Sequence, residues 1–190
     1  GRYGVDLGGA GTLTGNWIHD NAGGASVGGQ ALVDGNTLEA NGGWGLYLSG
    51  GTPAQVTNNT VRRNGYAIYQ GGRQPTYSGN TIATDLANRN TFNVIGVGGE
   101  IKGDVVWGNV QGLGLAYFVV SNVTVKGSLT IPAGTVVKFE GVWWSLTVEG
   151  RERPGVVRDD EVPPEQQVEL GRGHVGQVPA RVPAQALADA

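Results

Sequence analysis

An asparagine returns at a nearly constant interval through the first half of the chain, and that interval restricts the fold more than any other feature. Leu13-Thr14-Gly15-Asn16-Trp17-Ile18-His19-Asp20-Asn21 aligns with Val33-Asp34-Gly35-Asn36-Thr37-Leu38-Glu39-Ala40-Asn41. Val56-Thr57-Asn58-Asn59-Thr60-Val61-Arg62-Arg63-Asn64 and Tyr77-Ser78-Gly79-Asn80-Thr81-Ile82-Ala83-Thr84-Asp85 follow. The key residues Asn16, Asn36, Asn59 and Asn80 are 20, 23 and 21 positions apart. The shared pattern is apolar-x-[Gly/Asn]-Asn-x-aliphatic-x-x-[Asn/Asp]. A second pattern lies between the asparagines: Trp44-Gly45-Leu46-Tyr47 aligns with Tyr66-Ala67-Ile68-Tyr69, and more weakly with Ala25-Ser26-Val27. A fixed period of this length marks a fold in which each unit rests on its neighbours.

Each unit has room for about three short strands. Strands of three to five residues do not stand alone. Stacked in successive coils, each pairs with its counterparts about 4.8 Å above and below. Equivalent positions then become columns. Leu13, Val33, Val56 and Tyr77 form one, and Ile18, Leu38, Val61 and Ile82 another; both are expected to face inward. Asn16, Asn36, Asn59 and Asn80 are expected to stack as an amide ladder at a sharp corner. Thirty-five glycines, with many Asn and Thr residues, disfavour a helical solenoid. The fold expected is therefore all-β: a single-stranded parallel β-helix, right-handed by the general crossover preference. About four to five coils are expected.

These Asn-Thr-aliphatic repeats resemble the parallel β-helix repeats of the pectate-lyase-like superfamily, over residues 1–87. The resemblance implies secreted polysaccharide-processing enzymes or large bacterial surface proteins. Its repeated residues are structural, so it carries the fold and not an activity. Residues 88–150 lose the period but stay strand-like: Tyr117-Phe118-Val119-Val120, Val123-Thr124-Val125, then Leu129-Thr130-Ile131 and Val136-Val137-Lys138-Phe139 across a Pro132-Ala133-Gly134 turn, and Leu146-Thr147-Val148. This block resembles the opening coils of a further β-helix module. Residues 151–190 change character. They lack Asn, Ser, Thr, Ile, Lys and aromatics, and hold five of the eight prolines. A low-structure tail is expected there, with a shifted reading frame after Gly150 as the alternative.

Net charge of −3 argues against a nucleic-acid partner. The absence of cysteine removes disulfides and thiol chemistry. No apolar run is long enough to span a membrane. The Gly1-Arg2-Tyr3-Gly4 start is neither an initiator nor a signal peptide. The chain reads as a fragment of a larger extracellular or cell-surface bacterial protein, flanked by further coils.

Three surfaces invite chemistry. His19, Glu39 and Arg62 share one repeat position, a stack that would serve acid–base catalysis or form only a solvated charge ladder. Lyases of the resembled superfamily cluster acidic residues around calcium. Here Asp6, Asp20, Asp34, Glu39 and Asp85 fall in separate columns, so no metal site and no cofactor is expected. Tyr47 and Tyr69, with Trp44 and Tyr66, align on adjacent coils as an outward aromatic platform for sugar rings, or as a stack that shields the sheet. Trp17, Thr37, Thr60 and Thr81 form a further outward column. The function expected is a non-catalytic module, a spacer or polysaccharide-contacting surface. The alternative is a fragment of a polysaccharide lyase or hydrolase.

Overall fold

The computed structural model describes residues 2–50 and 54–150. The expected tail, with its low structure or shifted frame, lies outside the described residues. The rest is a parallel β-solenoid of about six turns. Three sheets run along it. The first sheet is eight-stranded and contains β1 (Val5–Leu7), β4 (Ala25–Gly28), β7 (Trp44–Ser49), β10 (Tyr66–Gln70), β13 (Phe92–Lys102), β15 (Ala116–Lys126), β17 (Val137–Phe139) and β18 (Leu146–Glu149). The second stacks β2 (Gly11–Thr14), β5 (Ala31–Asp34), β8 (Gln55–Thr57) and β11 (Thr76–Ser78). The third stacks β3 (Trp17–His19), β6 (Thr37–Glu39), β9 (Thr60–Arg62) and β12 (Thr81–Ile82). A two-stranded extension pairs β14 (Val105–Val106) with β16 (Leu129–Thr130).

The registers reproduce the expected columns. Leu13 pairs with Val33, Val33 with Val56, and Val56 with Tyr77. Ile18, Leu38, Val61 and Ile82 pair in the same way. All these side chains are buried except Tyr77, which is partly so and packs against the core. Burying one such aliphatic side chain stabilises by about 1.5–3 kcal/mol.

Two corners alternate along each of the first coils, and both follow one rule. A residue in the left-handed region turns the chain, and the asparagine after it locks the turn. At the first corner the turning residues are Gly15, Gly35, Asn58 and Gly79, with φ of 67, 64, 55 and 64°. Gly and Asn tolerate this conformation best, which explains the [Gly/Asn]-Asn pair of the repeat. The ladder behind it is continuous. Asn16 donates its side-chain and backbone N–H to Asn36 Oδ1 at 3.1 and 2.9 Å, and Asn36 donates likewise to Asn59 at 2.9 Å. Asn59 donates to Asn80 at 3.0 and 2.9 Å, and Asn80 donates in turn to Gln111 Oε1. Each inner amide also donates to a carbonyl of the coil before it, as from Asn59 Nδ2 to Val33 O at 2.8 Å.

At the second corner Asp20, Ala40 and Arg63 turn the chain, at φ of 56, 53 and 56°. Asn21, Asn41, Asn64 and Asn90 form a second ladder, with side-chain links of 3.3, 2.9 and 2.9 Å. Its last rung corrects the repeat alignment, which put Asp85 in that column. Asp85 instead closes a local turn, accepting from Asn88 N at 3.1 Å and Arg89 N at 2.8 Å. The extra residues of this turn carry the rung to Asn90.

The first sheet runs without a break across residue 88, through Tyr66↔Phe92 and Tyr69↔Gly96. Beyond it the coils change. β13 and β15 each span 11 residues. The two short strands expected within 117–125 are one strand, because the ladder continues from Val97↔Val119 through a register shift to Gly99↔Val123. The core here adds an aromatic pair to its aliphatic side chains: Trp107 and Tyr117, both fully buried, stack with centroids 5.1 Å apart.

Candidate functional site

Two outer faces carry the candidate residues. On the third sheet, β3, β6 and β9 place His19, Glu39 and Arg62 in one register column. The side chains do not form a solvated ladder. Glu39 is 6% exposed in its side chain. Its Oε2 accepts from Arg62 at 2.9 Å and from the Trp17 indole N–H at 3.1 Å, and its Oε1 pairs with Arg63 at 2.7 Å. The Trp17 ring and two guanidinium groups therefore cover and neutralise it. The bond from Arg62 is the main reason its carboxyl lies below the ordinary range; burial opposes this, and Trp17 and the Arg63 charge add to it. Such a carboxylate is held in its ionised form as an acceptor for three donors.

His19 does not join this triad. Its Nδ1 lies 2.7 Å from Asp20 Oδ2, and its ring stacks on Trp17 at 4.0 Å and 27°. Sequence reasoning did not find Trp17 and Arg63 as Glu39's partners. Trp17 reaches across from the neighbouring column, and Arg63 occupies the corner position. Only the lengths of those two side chains hinted at these diagonal contacts.

On the first sheet Tyr47 and Tyr69 stack at 4.2 Å with 5° between planes. Trp44 and Tyr66 lie 4.5 Å apart, and the row continues from Tyr66 to Phe92 at 4.8 Å. All four expected residues come together, each half-buried. Gly96 leaves the space that the Trp44 ring edge fills. The Tyr69 hydroxyl donates to Gly98 O at 3.2 Å, and burial pushes that phenol well above its usual range. Because the rings stack on one another along the solenoid axis, their flat faces are largely occupied, and the Tyr69 hydroxyl is taken by Gly98 O.

Among the described residues no three His, Asp or Glu side chains converge as a metal site would require. No described helix is long and apolar enough to cross a membrane. Among the described residues a shallow hollow lies between Leu48, Gly71, Arg73 and Pro75 and holds about 180 Å³ including open solvent, below the range usual for ligand clefts.

Neither the curated proteins nor the solved structures contain a match to the chain. The family model described as a right handed beta helix region matches residues 1–131. That span takes in both amide ladders and the stacked registers that run past residue 88, and on it the chain belongs to the right-handed β-helix family.

Proposed function

We propose that the chain is a non-catalytic β-helix module of a secreted or cell-surface bacterial protein, a rigid spacer that contacts polysaccharide on its outer faces. The state of Glu39 carries this reading. It is the single carboxylate of the candidate column, it is buried, and three donors already hold it. A general base works best with a pKa near the operating pH and open access to the proton it takes, whereas Glu39 is held below the ordinary carboxylate range beneath the Trp17 ring and two guanidinium groups. The two amide ladders support the spacer role, since each ties neighbouring coils through buried bonds. The resemblance to extracellular β-helix proteins supports the location and the class of partner.

The test is depolymerisation. Neutral and acidic polysaccharides are incubated with the full chain, with calcium and with chelator, and assayed for new reducing ends and unsaturated products. None is expected. Cleavage that disappears in Glu39→Gln or His19→Ala would replace the module with the alternative, a fragment of a carbohydrate-active enzyme.

A further inference from the structure

We infer that the outer face of the third sheet carries a subsite for a neutral pyranose chain, with the Trp17 indole as its stacking platform. The inference rests on the polysaccharide-contacting role above and gives it a place and a ligand class.

Trp17 is 64% exposed, whereas the residues that follow it in register are Thr37, Thr60 and Thr81. A large aromatic ring left in water is informative when something holds it there. Here the indole N–H is bound to Glu39 and one ring face lies against His19. The ring is thus fixed before any ligand arrives, which removes much of the ordering cost of binding. His19 is the one ring neighbour of Trp17 among the described residues, and the residue's 64% exposure leaves much of the ring away from His19 in contact with solvent. The first-sheet row differs, because its rings cover one another. The C–H face of a pyranose matches an open indole face, and its hydroxyls need a polar rim.

That rim is present and electrically balanced. Arg62 and Arg63 both pair with Glu39, and Asp20 pairs with His19. Counted together, the two guanidinium groups and the two carboxylates leave this rim without net charge, so it offers a uronic acid carboxylate no net attraction. The guanidinium groups keep further N–H donors for sugar hydroxyls. Along the axis the threonine hydroxyls continue from Trp17 at the coil spacing of about 4.8 Å, a row on which an extended chain can lie.

The test is affinity electrophoresis of the full chain through native gels containing hydroxyethylcellulose, galactomannan or polygalacturonate. At least one neutral polymer is expected to retard it, and polygalacturonate is not. Trp17→Thr installs the residue that the next coils carry and weakens retardation about tenfold. Trp17→Phe keeps a ring face but not the bond to Glu39, so retardation between those of the parent and Trp17→Thr is expected, which separates lost stacking from lost folding. Tyr47→Ala runs as the parent does. Unchanged retardation of Trp17→Thr, or a preference for polygalacturonate, overturns the site. If Tyr47→Ala alone loses binding, this site fails while polysaccharide contact stands; if no polymer retards the chain, both fail.

Discussion

The coils up to Asn90 and those after it share one continuous sheet but turn their corners by different means. In the first set the strands outside the first sheet have two to four residues, and the core is Val, Leu, Ile and Ala. Strands this short make few backbone bonds each, so the corners must be held by side chains. Two asparagine columns do this. In the second set the ladders stop: the first ends on Gln111, and the second is tied off where Asn90 donates to Asn93 at 2.8 Å. Long strands with continuous pairing and a buried Trp107–Tyr117 stack take over. A parallel solenoid can therefore be stabilised at its corners or along its sheet.

The sharpest way to break the first set is Asn59→Ala. Asn59 is buried, and its loss removes the side-chain partner of the Asn36 backbone N–H and of the Val33 carbonyl, and breaks the amide links to Asn36 and Asn80 on either side. Each buried polar group left unpaired costs about 1–3 kcal/mol, so a loss of about 4 kcal/mol is expected. The matching change in the second set, Asn122→Ala, removes an exposed acceptor for Ser145 and costs about 1 kcal/mol. Urea denaturation of both variants decides this. Equal losses would mean that the ladder is not what distinguishes the two sets.

Trp107→Ala strikes the second set. Removing a fully buried Trp costs about 3–5 kcal/mol. The lower end, about 3 kcal/mol, is expected, because the indole N–H has no partner and its removal also deletes an unpaired buried donor. In a solenoid, coils contact only their neighbours, so the damage should stay local. Peptide-resolved hydrogen exchange should accelerate in β13–β15 while β2–β5 stay protected. Uniform acceleration would show that the two sets unfold as one unit.

The difference between the sets also governs what the sequence made legible. The first ladder was readable because its Asn recurs beside a Gly or Asn that must adopt positive φ. The second ladder was half-readable: its turning residues, Asp20, Ala40 and Arg63, have no common chemistry, and the added turn at Asp85 hid the rung at Asn90. The aromatic columns were visible as aligned residues, but their ring planes are set by packing against Gly96 and Phe92, which lie in coils without the repeat. Glu39 was placed in the correct column and expected in solvent. Its burial depends on Trp17 and Arg63 leaning across columns, which no periodicity encodes.

Glu39 gives the ladder-bearing coils an acid limit. Its carboxyl titrates below its ordinary value of 4.5, so its stabilisation is fully present above that value. It is lost as the pH falls through the lowered folded value. Glu39→Gln should cost about 1.5 kcal/mol at neutral pH and flatten the acid limb of a stability–pH curve. An unchanged limb would assign acid sensitivity to other carboxylates, such as Asp34, which Thr57 and Asn58 hold below its ordinary range.

A further effect, absent at neutral pH, lies at the opposite end of the pH scale and belongs to the buried Trp107–Tyr117 pair. Burial pushes the Tyr117 phenol up to about 12, against a partly offsetting backbone contact at Gly108. The unfolded chain releases this proton near 10, while the folded chain still holds it. Between those values the native state binds more protons than the unfolded one, so stability falls as the pH rises from about 10 and the loss is complete beyond about 12. Tyr117→Phe removes that part of the slope. Burial also raises Tyr69 and Tyr77, so a residual alkaline slope is expected in the variant. A variant slope equal to the parent's would place alkaline sensitivity in the earlier coils, and the two regions would then share their alkaline limit.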